Sequence, residues 1–222
     1  MNFLRTAVAG VVIAAAAATG VALINRHAEE GRRMAGVRNL QQWGIALNLY
    51  LMDNDNQLPE VGREPVTADQ KNAWFNALPP YISQTPLTDL PPADRPRPGV
   101  PSLWISPATE PVRVWDNAVF YFNYAMNAAL QPDAGVRSFR IYELPYPQNI
   151  IFMTEVDGYS PSVSPQSVVF RINRRPSQLS EALANVLFAD GHVQPVSRAA
   201  LVLNPQTQSS DHAATGISWL IH

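Results

Sequence analysis

The chain has 222 residues, a formal net charge of −2 and no cysteine. The near-neutral charge gives no electrostatic case for nucleic-acid binding. The missing thiols exclude disulfides, thiol catalysis and cysteine-ligated metal sites. Hydrophobic residues make up 46% of the chain, enough for one globular domain beside an anchor segment, and the 20 prolines predict long loops.

The first predicted element is one long helix over residues 6–51. No proline precedes Pro59, and the segment is rich in residues that favour helix. Residues 6–24 carry no charge and are long enough to cross a hydrocarbon core of about 30 Å. We therefore expect residues 1–5 to be a short cytoplasmic N-terminus and residues 6–24 to be transmembrane. A cleaved signal peptide is the alternative.

The predicted membrane half has a surface of small residues, which let two helices approach closely. The expected assembly positions are Gly10, Ala14, Ala17 and Gly20. The arginine count around the span favours a cytoplasmic head, whereas a very short tail before an apolar run commonly stays inside. We expect the head to lie outside the cytoplasm.

The second part of the long helix, residues 25–52, is amphipathic. Apolar residues recur there at intervals of three and four, which is typical of a helix face packed on a core. We predict that this face packs on the sheet of the head through Met34, Val37, Leu40, Leu47 and Leu51.

Residues 53–222 are predicted to form the head. A short helix is expected within residues 68–84, and a proline-rich loop within residues 85–111. We expect Leu103, Trp104 and Ile105 to fix that loop to the core.

Strands are predicted over residues 119–126, 150–154 and 168–172, the second being central in the sheet because it is a continuous apolar run. A helical turn is expected near residues 199–203, and residues 217–221 are either a last strand or a docking tail. One long helix followed by antiparallel strands indicates an α+β fold.

Asp190-Gly191 is predicted to be a two-residue hairpin turn with positive backbone φ. In that register Phe188 opposes Val193. The residues expected to share one face of the sheet are Val186, Phe188, Val193 and Pro195. Pro195 places the returning strand at an edge, because proline cannot donate to a ladder.

Four stretches together, residues 38–50, 123–127, 147–158 and 185–193, resemble the type IV pilin-like or pseudopilin-like proteins whose heads end in a His, nine residues, Asp-Gly signature. The resemblance implies a long N-terminal helix packed on an antiparallel head. It implies a structural subunit of a type II secretion or type IV pilus-like filament, not an enzyme. The expected location is the inner membrane, single-pass, with the head in the periplasm or at the cell surface.

The resemblance further implies partners that are copies of the chain or other pilin-like subunits, bound through the long helix. Three positions depart from the family pattern. Ser180 stands where the signature has His, no Gly precedes Phe3, and Ala7 stands where the family has Glu. A membrane-tethered protein that does not polymerise is therefore the alternative.

The polar residues leave two other functions open. A metal-dependent hydrolase would draw on Asp157, Asp190, His192, Asp211 and His212, but turn chemistry accounts for the Asp-Gly pairs and no nucleophile motif is present. A calcium-stabilised binding module would use oxygen ligands from Asp157, Asp190 and Asp211. Calcium is the one cofactor left open by the sequence.

Overall fold

The computed structural model describes residues 2–109, 120–131, 137–171, 181–201 and 217–219, with side chains from residue 27 onward. The first helix, α1, is Asn2–Asp53. The predicted span 6–24, with Gly10, Ala14, Ala17 and Gly20, lies outside the described side chains. Within the part of the chain so described, no helix combines the length and apolar character needed to cross a membrane.

The head is built on a five-stranded, mostly antiparallel sheet in the order β3-β1-β2-β4-β5. The strands are β1 Tyr124–Asn127, β2 Ile151–Glu155, β3 Ser162–Val163, β4 Leu183–Phe188 and β5 Val193–Ser197. The pairing of β1 with β3 is parallel, and the other three pairings are antiparallel. The α+β prediction is confirmed at this level, as are the central place of β2 and the edge place of β5.

Short helices fill the connections. The α-helical ones are α2 Trp74–Ala77 and α3 Arg198–Leu201, and tighter 3₁₀ turns are Pro79–Ile82, Leu87–Asp89, Ala128–Leu130, Ile141–Glu143, Pro147–Asn149 and Pro165–Ser167. The segment predicted to be either a last strand or a docking tail meets the sheet at its described residues 217–219, where Ser218 bridges Ile150 in parallel.

The predicted strand over residues 168–172 is wrong for the described residues 168–171. The Val169 N–H donates to the Glu155 carbonyl at 2.9 Å, so this segment does lie beside the end of β2. A 3₁₀ turn lies immediately before it, and although Val168 is extended, the strand that pairs with β1 is the earlier β3.

One face of α1 packs on the head, as predicted, but its position on the helix differs. Leu40, Leu47 and Leu51 are buried, and Val37 is half-buried. Met34 is 44% exposed, so its assignment to the packed face is wrong. Residues 34 and 40 are separated by two steps of three residues, so their side chains point about 120° apart around the helix axis. When Leu40 faces the core, Met34 therefore points toward solvent.

A cluster of aromatic rings anchors α1 to the head. Trp43 lies with its ring centroid 4.8 Å from that of Trp104 and 5.6 Å from that of Trp74. The Trp74 indole N–H donates to the Pro161 carbonyl at 2.8 Å. Trp104 and Ile105 are buried, which confirms that the middle of the proline-rich loop is fixed to the core.

The hairpin between β4 and β5 has a three-residue turn, so the predicted two-residue turn is wrong. The Gly191 N–H donates to the Phe188 carbonyl, and the Phe188 N–H donates to the His192 carbonyl, both at 2.9 Å. Gly191 has a φ of 92°, whereas Asp190 is not among the residues with positive φ. This is a type I turn followed by a left-handed glycine, the next commonest hairpin solution.

The extra turn residue shifts the register of β5 by one. Leu187, and not Phe188, opposes Val193. Because a one-residue slip moves a strand's side chains to the opposite face, Val193 packs with Leu187 on the core under α1, while Phe188 belongs to the core on the other face.

The same turn lies directly against α1. A Cβ atom at Gly44 would lie 2.7 Å from the Gly191 carbonyl oxygen and 3.0 Å from a methyl group of Leu187. The helix can therefore reach this position only where it has no side chain. Gly31, by contrast, has no atom within 4 Å of such a Cβ.

We expect Gly44→Ala to lower the free energy of unfolding by about 1–3 kcal/mol, because the new methyl group overlaps backbone that cannot move away easily. Gly31→Ala is the matched control, and should raise that free energy by up to about 1 kcal/mol through helix propensity. Urea unfolding of the full chain measures both. Equal effects of the two substitutions would show that α1 does not depend on the close approach.

Candidate functional site

Buried and half-buried polar side chains meet where α1 crosses the end of β2. We call this set the junction cluster, and its members are Asn39, Ser106, Tyr124, Glu155 and Asn185. Each of the four stretches that carry the pilin-like resemblance contributes one member, and Ser106 comes from the proline-rich loop. No local sequence pattern predicts a role for any of these side chains.

Glu155 lies at the centre of the junction cluster and is 1% exposed. The Ser106 hydroxyl donates to one carboxyl oxygen at 2.9 Å, and the Asn185 backbone N–H donates to the other at 3.1 Å. Burial raises the pKa of the Glu155 carboxyl, and the Asn185 N–H, the Arg171 guanidinium and Ser106 offset part of that rise. The neutral acid is therefore favoured more than in a free glutamate.

Gly36 of α1 covers the carboxyl with bare backbone. A Cβ atom there would lie 2.9 Å from the Asn185 side-chain nitrogen, 3.7 Å from a Glu155 carboxyl oxygen and 3.9 Å from the Tyr124 hydroxyl. A methyl group at this position would require the end of the Asn185 side chain to move, whereas the other two distances are ordinary van der Waals contacts. Gly36 thus lets the helix itself exclude water from Glu155.

Asn39, one turn further along α1, ties the helix to the proline-rich loop. Its side-chain nitrogen lies 3.0 Å from the Ser102 carbonyl and 3.1 Å from the Ile105 carbonyl, within hydrogen-bond distance of both. The Tyr124 hydroxyl is 3.4 Å from the same nitrogen, and burial raises the pKa of that hydroxyl. One amide therefore joins helix, loop and β1.

A second polar group borders the cluster beyond the end of β2. Arg171 donates to the Val156 carbonyl at 2.8 Å and lies 3.5 Å from the Asp157 carboxylate. The Tyr121 hydroxyl donates to the same carboxylate. Burial, followed by the hydrogen bond to Asp157, raises the pKa of Tyr121 to about 12. Asp157 is thereby engaged in fixing the chain after β2.

The predicted calcium ligands are not brought together. Asp157 follows the last residue of β2, whereas pairing of Ile151 with Phe188 puts Asp190 beside the first. The length of β2 separates them, and Asp211 lies outside the described residues. In the described ranges, no group of three His, Asp or Glu side chains could hold a metal ion.

The polar set considered for a hydrolase is also dispersed. Asp190 accepts a hydrogen bond from the His192 backbone N–H at 3.1 Å, and its carboxylate lies 2.6 Å from the imidazole. That imidazole stacks on the Phe188 ring with centroids 4.4 Å apart. These contacts are those of a well-packed turn. His212 lies outside the described residues.

Comparisons with protein-family models, with curated proteins and with solved structures found no match to this chain. The pilin-like resemblance therefore rests on the four sequence stretches. What the junction cluster can do chemically is limited by its burial: it can hold a helix in register, and it can bind or lose one proton at Glu155.

The raised pKa of Glu155 makes stability depend on pH. Since the folded pKa exceeds the unfolded value, its contribution is fully present below the unfolded pKa, which is about 4.3 for a free glutamate, and is lost as pH rises through the folded pKa. We expect Glu155→Gln to remove this loss, with its amide oxygen accepting from the Asn185 N–H and its amide nitrogen donating to the Ser106 hydroxyl.

The measurement is the free energy of unfolding of the full chain from about pH 5 to about pH 8, where other carboxylates are already ionised. Glu29→Gln is the control, because Glu29 is an exposed residue of α1. A Glu155→Gln profile that falls as steeply as the wild type would refute the assignment of the slope to this carboxyl.

Proposed function

We propose that the chain is a pseudopilin-like structural subunit of a type II secretion or type IV pilus-like assembly, anchored by one membrane pass and assembling through α1. The observation that carries this proposal is the length of α1, which is much greater than that of any strand described in the head. A helix of 52 residues is about 78 Å long, whereas the longest strand, of 6 residues, spans about 20 Å.

The described part of α1 supports a division of labour along the helix. From Gly36 to Leu51 one face is buried on the head, while residues 27–32 are all exposed. The uncharged residues 6–24 precede that exposed segment in the sequence. Such an arrangement suits a helix that anchors and assembles at one end and carries a head at the other.

The solvent face of α1 adds a second feature in favour of assembly. Met34, Ile45, Leu49 and Met52 are 44%, 49%, 40% and 78% exposed, respectively. At 100° per residue they fall within about 60° of one another on the side opposite the packed face. A row of exposed apolar side chains of this kind is typical of a contact surface, and a second long helix of the same kind fits its shape.

The proposal is tested by crosslinking through introduced cysteines, which are unique labels because the chain has none. We expect Ala14→Cys and Ala17→Cys to form disulfide-linked dimers on oxidation in the native membrane, since small-residue surfaces bring helices into contact. Gln166→Cys, on an exposed turn of the head, is the control and should remain monomeric.

A chain that stays monomeric with cysteine at every third position from 6 to 34 would overturn assembly through this helix. It would instead favour the tethered protein that does not polymerise. Dimers at Gln166→Cys with equal yield would indicate random collision, and would also count against the proposal.

The exposed apolar face of α1 is tested separately. We expect Ile45→Glu combined with Leu49→Glu to reduce the crosslinking yield of Ala14→Cys at least tenfold, because charges would then be buried between helices. Gln41→Glu with Gln42→Glu adds the same charge to neighbouring exposed positions and serves as the control. Unfolding free energies within about 0.5 kcal/mol of the parent should accompany both variants.

An unchanged yield in the apolar-face variant would show that this face is not part of the contact. A loss of yield in both variants would show that added charge, and not the loss of the apolar face, causes the effect.

A further inference from the structure

The junction cluster is the outermost buried tie between α1 and the head. In the part of α1 whose side chains are described, residues 27–32 and Met34 are exposed, and Gly36 is the first buried position after residue 27. The next buried position is Leu40, which begins the apolar contact with the core. The exposed N-terminal part of the helix is therefore followed directly by the polar contacts of the junction cluster, which are the first contacts that hold it to the head.

The surroundings of Glu155 contain few charges. The Tyr124 hydroxyl faces it from β1, and the Arg171 guanidinium acts on it from the segment after Pro165–Ser167. The faces that β4 and the loop present carry the uncharged Asn185 and Ser106.

The charged residue of α1 nearest to this face is the half-buried Arg33, one turn before Gly36, and its guanidinium is paired with Glu30. Gly36 and Asn39 are the helix residues in the cluster, and Arg38 is exposed. Arg171 is shared, since it also donates to the Val156 carbonyl and lies beside Asp157. Asp157 in turn accepts the Tyr121 hydroxyl hydrogen bond.

We propose that the junction cluster is a latch: it holds the N-terminal part of α1 against the head while the Glu155 carboxyl is neutral, and releases it when that carboxyl ionises. The inference goes beyond assembly and does not depend on it, because both sides of the latch belong to one chain.

The hydrogen bonds that Glu155 accepts from Ser106 and Asn185 lower the pKa of its carboxyl, while burial raises it. The Asn185 side-chain oxygen is buried and has no hydrogen-bond partner among the described residues. An unmade hydrogen bond of this kind is costly. A neutral carboxyl brings one O–H donor into the cluster, whereas a carboxylate brings none.

The open form follows from the cost of a buried charge. An ionised Glu155 requires either a closer cation or water. The Arg171 Nη2 group is held by the Val156 carbonyl and lies beside Asp157, its buried Nε has no hydrogen-bond partner among the described residues, and the bare backbone of Gly36 covers the carboxyl. Lifting α1 before Leu40 admits water there, while Leu40, Trp43 and Leu47 keep the rest of the helix in place.

The latch is tested by intramolecular distances between spin labels on introduced cysteines. The reporting pair is Gly31→Cys with Gln166→Cys, and the matched control pair is Gln41→Cys with Gln166→Cys; all three positions are on the surface. The labelled full chain is diluted with unlabelled chain, so that assembly cannot contribute distances.

We expect the reporting pair to gain a second distance population between about pH 5 and about pH 8, rising about tenfold per pH unit until it saturates. The control pair should keep one distribution throughout. In Glu155→Gln, both pairs should keep the distribution that the wild type has at low pH.

A reporting pair with one distribution over the whole range would overturn the latch, as would a Glu155→Gln protein whose reporting pair changes like the wild type. If Glu155→Gln does not fold, the pH dependence of the two distance distributions in the wild-type chain still tests the latch. A shift of both pairs together would mean general loosening, and would also refute a local latch. Failure of the cysteine crosslinks with a working latch would refute assembly alone.

Discussion

The whole arrangement depends on how closely the backbone of α1 approaches the sheet. Gly36 and Gly44 stand on the packed side of the helix, and each has a neighbour where a methyl group would be. This closeness allows the Trp43 ring between them to meet Trp74 and Trp104. It also seals Glu155 from solvent. Packing, aromatic anchoring and the electrostatics of the carboxyl are thus consequences of two missing side chains.

Stable packing of α1 on the head does not require a buried glutamate at position 155. An apolar residue would pack there without a desolvation cost, and buried polar networks often add little net stability. They contribute instead to orientation, because hydrogen bonds are directional. The donors on Ser106 and Asn185 allow only one position of the carboxyl group. The cluster therefore fixes where α1 sits along the sheet, which the apolar contacts of Leu40 and Leu47 define less sharply.

Much of the fold follows from periodicity and composition. The apolar run at β2 and the proline in β5 predict a central and an edge strand, and both are found. The failures have local causes. Met34 fits the three-residue spacing of the packed face, but helical rotation carries it to solvent, and the hairpin turn has one residue more than the shortest Asp-Gly turn.

The junction cluster could not be found from the sequence, because its members come from distant segments. Asn39, Glu155 and Asn185 each read as an ordinary polar residue within its own stretch. The order of the strands in the sheet brings these residues together, and local sequence patterns do not predict strand order. Each of the four stretches of the pilin-like resemblance contains one member of the cluster, but no stretch by itself indicates that these members meet in the fold.

The register of the final hairpin has an effect on how the molecule meets others. The bond from the Phe188 N–H to the His192 carbonyl sets the alternation along β5, so that residues 193, 195 and 197 direct their backbone groups away from β4. The middle position is Pro195, which has no N–H to offer. At the opposite edge, β3 has only 2 residues. An incoming strand would thus find an interrupted ladder on one side and a very short one on the other. The described sheet is poorly suited to growth by strand addition, and contacts between subunits are left to helices and loops.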